Sequence, residues 1–213
     1  MAGLSFGNVK GSGSKEKAEQ YEFKLGDNAV RLFGPILARY VYWIKGDNNK
    51  SFPVECLEFN RETEEFDKAE KDWVKEYFPD LKCGWAYSML CIHDGQEKVF
   101  NFKKKLFEQI KANLPDLGDP TDPETGWVLH FTKKKTGPLP INVEYTLLTL
   151  KCNNSKGPLS EEEKDIIEKS KGITAIIPRN TPEQQKEFLE KLLNGNKDKD
   201  NIDESVEEEL GAE

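Results

Sequence analysis

Apolar and polar positions change period several times along the chain, and the changes mark its elements. Tyr21–Leu25 and Ala29–Phe33 read as short strands separated by Gly26-Asp27-Asn28. Ile36–Ile44 (ILARYVYWI) is rich in aromatic and branched residues, the composition of a strand. Gly46-Asp47-Asn48-Asn49 is a turn signal, and Phe52–Phe59 reads as the returning strand. Pro53 puts that strand at an edge or a bulge, because proline donates nothing to a ladder. In Thr63–Phe78 the period becomes helical, with Phe66, Ala69, Trp73, Val74 and Tyr77 in phase, Thr63 as cap and Pro79 as stop.

Strand character returns at Lys82–Ile92, followed by the turn His93-Asp94-Gly95-Gln96 and a strand at Lys98–Phe102. Apolar residues occur on both alternating faces of Lys82–Ile92, so the pattern does not say which face looks inward. Lys103–Asn113 reads as a helix with Leu106, Phe107 and Ile110 as its apolar stripe. Leu114–Thr125 holds three prolines and reads as a loop. Trp127–Phe131 is a strand, Thr132–Pro140 a lysine-rich turn and Ile141–Cys152 a long strand. The polar, glycine-bearing Asn153–Pro158 ends the β unit, and short helices are expected at Glu161–Ser170 and Pro182–Leu193.

Seven or eight short strands with inserted helices predict a mainly β fold. The expected form is a five-stranded barrel of the oligonucleotide-binding (OB) type with extra strands. A β-sandwich fits the same strand count. The expected organisation is a flexible arm at 1–19, an OB-fold core at 20–158, a short helical extension at 159–196 and a disordered acidic tail at 197–213.

Charge sharpens this division. The net charge of −8 at first argues against a polyanionic ligand. Residues 159–213 hold 8 Lys/Arg and 16 Asp/Glu, which accounts for all of it; the preceding residues are balanced, with lysine clusters. No run is long and apolar enough for a membrane helix, and the first residues carry no signal-peptide core. The four cysteines are widely spaced, which suits a reducing, intracellular setting and offers no zinc spacing. No nucleophile–base signature or phosphate loop is present, so neither an enzyme nor a cofactor is expected.

Cations interleaved with rings are the chemistry that single-stranded nucleic acid requires: one for phosphates, the other for bases. Arg39, Tyr40, Tyr42, Trp43 and Lys45 share one hairpin arm, and Lys50 and Phe52 the other. Lys82, Trp85 and Tyr87 share a strand, and Lys98, Phe100, Phe102, Lys103, Lys104 and Lys105 follow. Lys133, Lys134 and Lys135 form a further cluster. In the tail, Ile202, Val206 and Leu210 make an apolar stripe beside Glu207, Glu208 and Glu209, a candidate site for a protein partner.

The stretch Trp85-Ala86-Tyr87-Ser88-Met89-Leu90-Cys91-Ile92-His93-Asp94, then Lys98-Val99-Phe100-Asn101-Phe102 and Lys103–Ile110, resembles the single-stranded DNA-binding proteins of T-even-like bacteriophages. The resemblance spans about residues 20–150. It implies that Trp85 and Phe102 stand at DNA-facing aromatic positions, and that Phe52, after Asn49-Lys50, stands for a hairpin tryptophan. It also implies sequence-independent binding during viral replication, recombination and repair in the host cytoplasm, with the acidic tail recruiting partner proteins; the concentration of negative charge in that tail makes it an expected competitor of DNA for the lysine clusters. Two departures bear on the carry-over. The helix expected at Thr63–Phe78 holds no Cys or His where the family's prototype has a zinc subdomain, so no metal is implied. Lys10, Lys15 and Lys17 are dispersed among glycines and Glu16, so weak self-association is the most that is expected. The competing classes are a protein-interaction adaptor and an RNA-binding module.

Overall fold

A computed structural model of the chain describes residues 19–45 and 51–193. Lys50, the tail residues Ile202, Val206, Glu207, Glu208, Glu209 and Leu210, and most of the N-terminal arm lie outside these. The described strands are β1 (Gly26–Leu37), β2 (Tyr40–Lys45), β3 (Ser51–Glu55), β4 (Gly84–Trp85), β5 (Ser88–His93), β6 (Gln96–Asn101), β7 (Val128–Lys135) and β8 (Val143–Leu147). They form a five-stranded antiparallel sheet in the order β6-β5-β1-β7-β8 and a three-stranded sheet in the order β3-β2-β4.

Helices α1 (Val74–Tyr77) and α2 (Lys104–Leu117) interrupt the strands, and α3 (Thr149–Asn154), α4 (Glu161–Lys169), α5 (Ile173–Ile176) and α6 (Pro182–Leu193) follow them. The fold is therefore mainly β, as the strand count predicts. The expected closed barrel is not found: the larger sheet is open.

Its edge strands already have partners, which is the physical reason it need not close. On β8, the Gln109 amide from α2 donates to Tyr145 O (2.9 Å) and accepts from Leu147 N (2.8 Å). On β6, Tyr21 N donates to Val99 O (2.9 Å) and Val99 N to Glu19 O (2.8 Å). Each contact satisfies backbone groups that would otherwise seek another strand.

Both faces of the sheet are covered, so β5 is buried along nearly its whole length. Met89 and Cys91 join Val30, Leu32, Phe100, Leu129 and Phe131 in the main core, under Tyr21, Phe23 and the α2 residues Leu106 and Ile110. Leu90 and Ile92 join Phe33, Leu37 and Val99 in a second core, covered by Ile173 and flanked by Ile166, Ile167, Ile176 and Ile177. This is why alternation in the sequence does not select an inward face. Each fully buried large apolar side chain contributes about 1.5–3 kcal/mol.

Gly34, at φ 73°, lies where the β1 register shifts between Phe33 and Leu37, and past that irregularity the chain passes into β2. The expected strand Ile36–Ile44 is consequently split between two sheets at Ala38-Arg39. Lys82–Ile92 is split in the same way, at Ala86-Tyr87. Pro53 does lie on an edge strand, β3. The turn at His93–Gln96 also forms as expected, with Asp94 and Gly95 both at positive φ, the backbone of a tight hairpin.

Other expectations are corrected. Tyr21–Leu25 is not a strand; Gln20 makes an isolated bridge to Val99 instead. Of the helix expected at Thr63–Phe78, only Val74–Tyr77 forms. Asn60 Oδ1 takes the amides of Glu62 and Thr63, Asp67 takes that of Ala69, and Glu64 and Lys68 have positive φ. Side chains thus claim backbone groups that a helix would use. The buried Asp72 carboxylate holds both Leu57 N and Val74 N at 2.9 Å.

Helix α2 runs past Asn113 through Pro115 to Leu117, because Leu117 has a place in the core. Lys133, Lys134 and Lys135 lie in β7 and not in a turn, since β8 pairs with all three. The expected strand Ile141–Cys152 ends at Leu147 and continues as α3, which buries Cys152.

Local signals hold better in the last helices. Ser160 and Glu163 form a reciprocal capping box on α4, and α6 has the expected bounds. Arg179, between α5 and α6, donates to Leu57 O (2.7 Å), Phe59 O (3.0 Å) and the carboxylates of Glu55 and Glu70. Arg61 donates to both carboxylate oxygens of Glu55 through Nε and Nη2.

Candidate nucleic-acid interface

Strand pairing gathers part of the predicted set on one surface. Trp85 pairs with Tyr40 across β4 and β2, so both side chains leave the small sheet on the same side. The Trp85 ring stacks on Tyr87 at 4.5 Å and lies 5.3 Å from Phe107 of α2; Phe102 lies 5.1 Å from Phe107. Trp85 and Phe107 are half-buried, whereas Tyr87 and Phe102 are buried. Tyr87 donates its hydroxyl to Glu64 (2.8 Å); burial, then that carboxylate, hold the phenol far above its ordinary pKa, and it stays neutral. Tyr40 in turn lies 5.0 Å from Phe66, which is 48% exposed.

Helix geometry adds the cations. Residues advance by about 100° each, so Lys104 and Lys111 share the side of α2 that carries Phe107, and Lys105 lies on the other side. Lys111 Nζ lies 5.9 Å from the Phe107 ring centre. Lys103 Nζ lies 5.2 Å from the Phe23 ring centre, and Lys133 Nζ donates to Phe23 O (2.9 Å), so these two lysines converge on one residue. Lys133 and Lys135 share one face of β7, and Lys134 points to the other.

The remaining predicted residues lie elsewhere. Tyr42 is fully buried, its hydroxyl 3.4 Å from Cys56 Sγ. Trp43 and Lys45 occupy the face of the small sheet opposite Tyr40 and Trp85. Phe52 lies 6.2 Å from Phe188 of α6. Arg39 donates to Ala86 O (3.2 Å) and Ser88 Oγ (3.4 Å), pinning the crossing between the sheets. Lys98 pairs with Glu19 at 3.0 Å. Lys82 is exposed just before β4.

Sequence reasoning missed Phe107, Lys111 and Phe66. The spacing of Phe107 and Lys111, four residues apart on a helix, was the available signal for the first two. Among the described residues, no group of three or more His, Cys, Asp or Glu gathers as a metal site would require, and no helix is long and apolar enough to cross a membrane.

No family model matches the chain. It is 27% identical, over 98% of its length and 94% of the relative's, to a protein of Escherichia phage T5 described as "Probable ssDNA-binding protein". The similarity found is thus to a bacteriophage protein, and it points to phage T5 where the motif resemblance pointed to the T-even group.

Proposed function

We propose that the chain binds single-stranded DNA without reading base sequence. The observation that carries this reading is the pair of half-buried rings, Trp85 and Phe107, with Lys111 over Phe107 and Lys104 on the same side of α2. Rings that accept any base, next to cations that follow the backbone, are what sequence-independent binding of a single strand needs. The description of the phage T5 relative supports the same reading.

In this reading Trp85 and Phe107 stack bases, Tyr40 and Phe66 extend the track, and the lysines, with Lys133 and Lys135, contact phosphates. The role that follows is protection of exposed strands during phage replication, recombination and repair. The acidic segment 197–213 competes for the cationic surface and, once displaced, offers Ile202, Val206 and Leu210 to partner proteins.

The test is titration of the full chain with labelled single-stranded DNA, duplex and RNA oligonucleotides of equal length across a salt series. Tight binding to single-stranded DNA that weakens steeply with salt is expected. Equal affinity for duplex would overturn the stacking platform, and a preference for RNA would reassign the ligand.

A further inference from the structure

Strand β7 runs on past the core. Its residues Leu129 and Phe131 face the main core together with Leu106 and Ile110 of α2, and Lys133 and Lys135 continue the same face beyond them. Lys133 pairs with Tyr145 and Lys135 with Val143 of β8. The hairpin therefore carries two lysines on the side of the sheet that holds α2, and Lys133 meets Lys103 at Phe23.

The tip of this hairpin, residues 136–142, is held in one shape. Thr136 N donates to Asn142 O (2.8 Å) and Asn142 N to Leu139 O (3.0 Å). Pro138 and Pro140 fix φ on either side of Leu139. The Asn142 side chain packs so closely on Gly137 that a Cβ there would lie 2.3 Å from its Nδ2. The tip is also apolar and uncovered: Leu139 is 55% and Ile141 54% exposed, and both prolines are exposed. Four adjoining apolar residues on a rigid tip gain by being covered. The stem lysines say by what, because they offer phosphates a path from α2 to the tip. A free base stacks on a ring, as at Trp85 and Phe107. A rigid aliphatic tip suits a broader flat surface that is already ordered. The last base pair of a duplex, where one strand runs on alone, presents such a surface beside phosphates, and Leu, Ile and Pro are side chains that proteins lay against base pairs.

We propose that the β7–β8 hairpin tip caps the terminal base pair at a junction between single-stranded and duplex DNA. Leu139 and Ile141 lie against the pair, and Lys133 and Lys135 hold phosphates of the single strand that leaves it. The proposal rests on the reading of the chain as a single-strand binder and adds a substrate class to it, the junction.

The test titrates the full chain with a labelled single-stranded oligonucleotide, and with the same sequence carried as an overhang on a short hairpin duplex, in both overhang polarities. The junction of one polarity should bind about tenfold tighter than the strand alone, the gain of covering roughly one apolar side chain. Leu139→Ser combined with Ile141→Ser should abolish that preference and leave affinity for the strand alone unchanged. Both side chains are exposed, so the variant should fold, and its urea midpoint checks this. Equal binding of strand and junction by the wild type would overturn the proposal, as would a double variant that keeps the preference. A double variant weakened equally on both ligands would place the tip on the single-strand path instead. A mass in solution that drops from dimer to monomer in the variant would assign the tip to a second copy of the chain. If the strand alone binds and the junction adds nothing, only this proposal falls; if neither binds, the single-strand reading falls with it.

Discussion

Two groups of aromatic rings in this protein have nearly the same internal geometry and opposite surroundings. Tyr21, Phe23, Phe100 and Phe131 have ring centres 5.1 to 6.5 Å apart and are all buried. Trp85, Tyr87 and Phe107 have centres 4.5 to 5.8 Å apart, but Trp85 and Phe107 are half-buried beside lysines of α2. Ring spacing alone therefore says nothing about role. The first group is sealed by a sheet, a helix and the segment that precedes β1; the second lies where the small sheet meets α2 and part of it is uncovered.

The largest expected effect is in the sealed group. Phe100→Ala should cost about 3–5 kcal/mol of stability, measured by urea unfolding, because it leaves a cavity among rings that cannot collapse into it. A loss of well under half that would mean the sealed group is loosely packed.

Trp85→Ala should behave differently. The variant should fold, and its affinity for a single-stranded oligonucleotide should fall by about 1–3 kcal/mol. A folded variant with unchanged affinity would reduce the open group to the rim of the core.

Lysines sharpen the comparison further. Lys104→Ala should lower the salt slope of binding by roughly 0.7, as expected for one lost phosphate contact on a single strand. Lys105→Ala, on the other side of α2, should change it less. Equal slopes for the two variants would separate the binding path from Phe107.

The smallest effect concerns His130, behind the sealed group on β7. Burial first, then the nearby Lys151 charge, lower its pKa below the ordinary 6.5. The unfolded chain then binds more protons just below that value, so stability should fall as pH drops through it, until the folded-state group titrates as well. His130→Gln should flatten that slope in unfolding measurements; an unchanged slope would assign it to other groups.

Features closed within a few residues were legible before any fold was known. The His93–Gln96 hairpin and the spans of α4 and α6 depend on local turn and helix chemistry, and they formed where expected. The acidic bias of the last 55 residues and the interleaving of lysines with rings were also plain. The helix expected at 63–78 failed because Asn60, Asp67 and Asp72 bind backbone groups there, a competition that periodicity does not register.

Other outcomes needed distant partners. Lys133–Lys135 extended as strand only because β8 pairs beside them, and the sheet stayed open because Gln109 and residues 19–21 occupy its edges. Exposure of rings is of the same kind. Tyr42 and Trp43 are neighbours of similar composition, yet one is buried and the other is not, because alternate residues of a strand face different layers. A sequence states which side chains are able to stack or to pair. Which of them keep a free face is decided by the elements laid over them, and those come from residues as far away as the opposite end of the chain.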